Sequence, residues 1–248
     1  MPKIDTIRFR CCKPQAQQQF YTNVLGMKIL ADGRVGYHHD QATLKFEQAD
    51  LPYQPSINDT YWKIALAVPN IELAYEQLSE MGLKVGSPRQ FQDIGYLAHF
   101  RDPEGYTIEL IEHWFKGHRP ETEHDRKLLG GGACLNLLTL RTHQIEPIRK
   151  YCITMGMTPL SIQPVNEYGF TLHFFAFTDD LPPSHDLAAV DNREWLYQRP
   201  YTVLEIQEVH DASPMFFTEG SVAGYSGTEL SGMIQDFCIE ELLIASRD

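Results

Sequence analysis

The residues of this chain that could do chemistry sit singly inside short apolar runs rather than in one contiguous motif. Lys63 falls within residues 62–68, His99 within 96–100, Glu109 within 106–111, His173 within 170–177 and Glu205 within 201–207. Each run has the length and composition of a strand. Successive side chains of a strand point to opposite faces, so one polar residue can be aimed at a ligand while its neighbours pack. A carboxylate held in this way suits proton abstraction, and carboxylates joined by imidazole suit a divalent metal. The five cysteines, an odd number, show no CxxC spacing, and reduced thiols of a cytoplasmic protein are the expected state.

The elements that must position these residues are repeated. Phe20-Tyr21-Thr22-Asn23-Val24-Leu25-Gly26-Met27 reappears in register as Lys150-Tyr151-Cys152-Ile153-Thr154-Met155-Gly156-Met157. Each copy follows a strand-like run and a polar stretch, so the chain is built from copies of one supersecondary unit. Residues 4–10 read as a strand and 14–25 as a helix stopped by Gly26, with strands expected at 35–38 and 42–46. The order restarts with a strand at 62–68 and a helix at 71–81 closed by Gly82. Strands at 96–100 and 106–111 then flank the turn Asp102-Pro103-Glu104-Gly105. The reading is α+β, with tandem βαβββ units forming curved mixed sheets. Residues 1–115 form a first domain of two units (1–52 and 60–115), and 116–132, ending in Gly130-Gly131-Gly132, form a linker. Residues 133–248 form a second domain, with strands at 134–141, 170–177 and 201–207, a helix to about Met155 and a loop at 179–191. Its fourth unit is reduced to a strand at 225–233.

A formal charge of -12 argues against nucleic acid, which requires a basic surface. No apolar run approaches membrane-spanning length, and the chain opens directly into a strand rather than a signal peptide, so neither membrane nor export is expected.

Phe-Tyr-x4-Leu/Met-Gly together with Asp102-Pro103-Glu104-Gly105-Tyr106-Thr107-Ile108-Glu109-Leu110 resembles the vicinal oxygen chelate superfamily. That superfamily includes glyoxalase I (lactoylglutathione lyase), extradiol dioxygenases, and bleomycin- and fosfomycin-resistance proteins. Residues 170–177, an acidic loop and Thr202-Val203-Leu204-Glu205-Ile206 are similar in order to the opening unit of glyoxalase I. The resemblance implies that paired units curl into a cup, with the first and last strands of each unit aiming one ligand inward. It places first-strand positions at Thr6, Lys63, Asn136 and Gly227, and last-strand positions at Lys45, Glu109 and Glu205. The set Thr6, Lys45, Lys63 and Glu109 fails as a metal site, because a lysine, with an ordinary pKa of about 10.4, is cationic at neutral pH. If the second unit faces the third, the cup holds Lys63, Glu109, Asn136 and Glu205. The ammonium of Lys63 then takes the place of a metal between two carboxylates.

His99 and His173 are further candidates to line the cup, and Arg10 and Arg89 to hold a ligand anion; Arg10 corresponds to the glyoxalase I arginine on a glutathione carboxylate. Glu47 could face inward after a two-residue slip, His38-His39 fits a turn, and Trp62, Trp195 and Tyr197 could wall a pocket. No cofactor is expected. Should a divalent metal such as zinc or nickel bind, Glu109, Glu205 and Asn136 are its ligands. The resulting expectation is a small-molecule binder taking an organic ligand, an anion included, in a cup within one chain or across a homodimer. The alternatives are a metal-dependent lyase acting on a hemithioacetal through Glu109 or Glu205, a metal-independent one with Lys63 as electrophile, and a scaffold working through protein contacts. A dioxygenase fits least, since its iron needs two histidines and a carboxylate.

Overall fold

Three βαβββ units, the third with an extra helix before its last strand, and one further strand make up the described residues, and their order of pairing is not their order in sequence. The computed structural model describes residues 2–121, 126–218 and 220–232. The first unit holds β1 (Lys3–Cys11), α1 (Pro14–Asn23), β2 (Lys28–Ile29), β3 (Val35–Gly36) and β4 (Thr43–Gln48). The second holds β5 (Tyr61–Val68), α2 (Ile71–Glu80), β6 (Arg89–Phe91), β7 (Gly95–Arg101) and β8 (Thr107–Glu112). The third holds β9 (Cys134–Thr142), α3 (Ile145–Thr154), β10 (Thr158–Val165), β11 (Phe170–Ala176), α4 (Asp191–Tyr197) and β12 (Val203–Val209), and β13 (Gly224–Ser231) follows.

Within each unit the first and last strands run parallel: β1 with β4, β5 with β8, β9 with β12. Antiparallel pairing of β5 with β9 then fuses the second and third units into one eight-stranded sheet, ordered β10-β11-β12-β9-β5-β8-β7-β6. Likewise β1 pairs with β13 in a five-stranded sheet, β13-β1-β4-β3-β2. The stretch expected at 225–233 is thus a strand beside the first unit; its last residue, Met233, and residues 122–125 of the expected linker lie outside the described residues.

The repeat marks the helix ends. Gly26, Gly82 and Gly156 follow α1, α2 and α3 with φ of 74°, 85° and 90°, a left-handed conformation that a side chain disfavours. Asn70 caps α2 by accepting from the Leu73 N–H.

Alternation on the strands divides the core in two. On β5, Ile64, Leu66 and Val68 face the helices, whereas Ala65 and Ala67 face the concave side with Leu97, Ile111, Leu137 and Phe174. Phe9, Tyr61, Tyr106 and Tyr225 pack together between the two sheets, with Phe9 and Tyr61 ring centroids 5.1 Å apart. The Tyr21 hydroxyl of the first repeat donates to Asp102 of the Asp-Pro-Glu-Gly turn at 3.0 Å. Burial pushes that carboxyl up to about 7 even as hydrogen bonds from Tyr21 and from the Tyr106 and Glu104 N–H groups pull it down. Tyr21 and Asp102 of the signature therefore hold the first unit against the second.

Candidate functional site

The concave face of the eight-stranded sheet encloses a cavity of about 240 Å³. Its floor is where β5 and β9 meet. Lys63 on β5 lies opposite Thr139 on β9, Glu205 of β12 sits beside Thr139, and Glu109 of β8 sits beside Ala65. The Lys63 Nζ donates to Glu109 Oε1 and to Glu205 Oε2, each at 2.9 Å. Thr139 Oγ1 also donates to Glu205 Oε2 at 2.9 Å, and His99 Nε2 lies 2.9 Å from Glu109 Oε2. The side chains of Lys63, Glu109 and Glu205 are 6%, 5% and 2% exposed, so this is a buried ion cluster.

Its electrostatics are uneven. Burial drives the Glu109 carboxyl up, but the Lys63 ammonium and the His99 hydrogen bond outweigh it and hold the group at about 2. Glu205 goes the other way: burial, assisted by repulsion from Glu109, raises it despite Lys63. Burial acts against the Lys63 charge, yet the two carboxylates raise its pKa above the ordinary lysine value. Glu109 is the fixed anion, and Glu205 is the group nearer to gaining a proton.

Above the floor the walls are apolar and aromatic. Leu97, Ile111, Leu137, Leu172 and Phe174 line the interior, with Tyr197 from α4. The mouth is bridged by contacts between opposite ends of the sheet: Phe91 and Tyr168 rings stand 5.1 Å apart, and Gln92 Nε2 donates to Glu167 Oε2 at 3.0 Å. Trp62 is an extra residue at a register shift between Tyr61 and Lys63, which lets both Trp62 and Lys63 line the cavity. The Arg141 guanidinium stacks 4.2 Å from the Trp62 ring and donates to Gln207 Oε1 at 2.9 Å, which fixes that wall.

The structure brings together Lys63, Glu109, Glu205 and His99, and places Arg89, exposed, at the rim. It does not bring in Asn136, Arg10 or His173. Asn136 is the extra residue of a second register shift, between Ala65/Leu137 and Leu66/Leu135, and is not among the cavity-lining residues. Its Nδ2 donates instead to the carbonyls of Leu196 (3.4 Å) and Arg199 (3.3 Å), and Thr139 takes the position expected for it. Arg10 lies on β1 in the other sheet, with its guanidinium on the carbonyls of Thr218 and Gly220. His173 alternates with the cavity residues Leu172 and Phe174 and so points to the opposite face, where its Nε2 is 3.3 Å from Glu208 Oε2.

The set Thr6, Lys45, Lys63 and Glu109 is likewise not assembled. Thr6 meets Asp5, Arg34 and Thr43, and Lys45 pairs with Glu47 at 3.4 Å on the five-stranded sheet. Gly227 also lies there, opposite Arg8, and His39 pairs with Asp40 on the surface. Trp195 stacks with Arg199 at 4.3 Å and is not among the cavity-lining residues.

A divalent metal does not fit this donor set. The ammonium of Lys63 occupies the point between the two carboxylates, both Glu109 oxygens are engaged, and the expected Asn136 is elsewhere. No group of three or more His, Cys, Asp and Glu residues among the described residues is placed to hold a metal ion.

Paired βαβββ units are joined here into mixed, curled sheets, one of them around a buried polar floor, an α+β fold. The sequence profile of the Glyoxalase/Bleomycin resistance protein/Dioxygenase superfamily matches residues 3–110. The chain is 33% identical to the lactoylglutathione lyases of Salmonella typhimurium (strain LT2) and Salmonella typhi, over 38% of this chain and 79% of each of theirs. Glyoxalase I from Zea mays has a similar fold, at a TM-score of 0.64 and 16% identity, covering 99% of this chain and 79% of that one. The chain belongs to the glyoxalase/bleomycin resistance/dioxygenase superfamily and has a glyoxalase-I-like fold.

Proposed function

We propose that this protein binds a small organic molecule in the cup of the eight-stranded sheet without a metal ion. One observation carries the reading: a lysine tethered by the fold fills the point between Glu109 and Glu205, beneath a cavity with apolar walls. A concave apolar site with a few convergent polar groups is the usual form of a small-molecule pocket, and 240 Å³, just below the roughly 300–1,000 Å³ of such pockets, suits a small ligand. The single chain supplies every residue of the cup, so a homodimer is not needed to complete it. No helix among the described residues is long and apolar enough to cross a membrane.

Thermal denaturation with small aromatic ligands tests this directly, because a ligand that binds the folded state alone raises the melting temperature. Leu137→Trp, which fills the cavity from β9, is expected to abolish the rise. A rise of equal size in that variant would place the binding site elsewhere and refute the reading.

A second reading rests on Glu205, a raised carboxyl next to an ammonium. A carbonyl compound docked there would present its oxygen to Lys63 and an α C–H to Glu205. That is the arrangement for metal-independent enolisation, with Lys63 stabilising the oxyanion. The metal-dependent lyase chemistry suggested by the name of the Salmonella relatives receives no support from the donor set.

A further inference from the structure

The floor of the cup offers two unfilled hydrogen-bonding positions side by side. An ammonium has three protons, and Lys63 uses two of them on Glu109 and Glu205. Glu205 receives both of its hydrogen bonds, from Lys63 and Thr139, on Oε2. Its Oε1 has no partner among the described residues, yet it is not sealed in protein, so it opens on the cavity that Glu205 lines. Glu109 offers nothing comparable, since Lys63 takes one oxygen and His99 the other. A donor and an acceptor are therefore presented together at the bottom of an apolar chamber.

Charge sets a second condition. Lys63 with two ionised carboxylates leaves the floor with a formal charge of -1, and the other cation lining the cavity, Arg89, is exposed at the rim. An anion driven into the chamber would lose its hydration and meet two carboxylates. This argues against the anionic ligand that the sequence left open.

We infer that the cup selects a neutral apolar molecule carrying a hydrogen-bond acceptor and an N–H or O–H donor on neighbouring atoms, with a carboxamide or lactam as the best match. The carbonyl oxygen accepts from Lys63 and the N–H donates to Glu205 Oε1, while the apolar body fills the space between Leu97, Leu137 and Phe174. The inference rests on the cup being the ligand site.

Three probes of one shape separate the claims: phenylacetamide, phenylacetone and phenylacetate, titrated at neutral pH by calorimetry. The amide is expected to bind about tenfold or more tightly than the ketone, which lacks the donor, and than the carboxylate, which lacks it and is charged. In Glu205→Gln the floor becomes neutral, and the gap between amide and carboxylate should shrink severalfold. Equal binding of ketone and amide, or carboxylate binding as tight as amide, overturns the inference and leaves the cup as a ligand site. Binding of none of the three to the parent, with no rise in melting temperature, overturns the ligand-site reading as well.

Discussion

Replacing Lys63 with methionine removes the ammonium and keeps most of the side-chain volume, leaving two carboxylates buried side by side. Breaking a buried ion pair by deleting one partner costs about 3–5 kcal/mol, because the remaining charge is uncompensated. The electrostatics of the cluster point the same way. Glu109 lies at about 2 instead of 4.5, and the Lys63 ammonium is the main group that holds it there against burial.

A depressed carboxyl contributes stability that is present above its unfolded value and lost as pH falls from about 4.5 toward 2. In the variant the sign reverses. Without the ammonium, burial and mutual repulsion raise both carboxyls, so the folded state holds extra protons and loses stability as pH rises through their raised values. The difference between parent and variant should therefore be smallest in acid and reach about 3–5 kcal/mol at neutral pH. Urea denaturation monitored by tryptophan fluorescence reads this as a midpoint about 1–2 M lower at neutral pH, for a slope of about 3 kcal/mol per molar. A constant gap across pH, or an unchanged midpoint at neutral pH, would falsify the buried cluster and mean that Lys63 reaches solvent.

Two other substitutions probe the same floor. Lys63→His exchanges the ammonium for a metal-binding imidazole facing Glu109 and Glu205, and is expected to create or strengthen Zn²⁺ or Ni²⁺ binding, read by titration and elemental mass spectrometry. Stoichiometry and affinity no higher than in the parent would show that the carboxylates cannot turn toward a shared ion. Glu109→Gln leaves Lys63 beside one carboxylate and should lower stability by about 1–3 kcal/mol, with an unchanged urea midpoint counting against it.

Much of the architecture was legible because it is local and repeated. The helix-stopping glycines at 26, 82 and 156, the strands carrying Lys63, Glu109 and Glu205, and the parity of Lys63 with Ala65 all follow from short-range pattern. The α4 helix, between the loop expected at 179–191 and the strand expected at 201–207, is not legible in the sequence: it has only seven residues and no side-chain cap, and its Trp195, Leu196 and Tyr197 give no strong period. Strand β10 was missed too, since Pro159 and Pro164 interrupt its pattern.

The sequence by itself determined which residue types stand on which strand faces, because side-chain alternation is a property of each strand alone. Family likeness indicated that the second unit could meet the third. Only the tertiary structure decided the partners across that seam. One extra residue at Asn136 leaves its amide on the carbonyls of Leu196 and Arg199 and brings Thr139 opposite Lys63. A bulge depends on how two distant strands share their hydrogen bonds, and neither strand's own sequence records that.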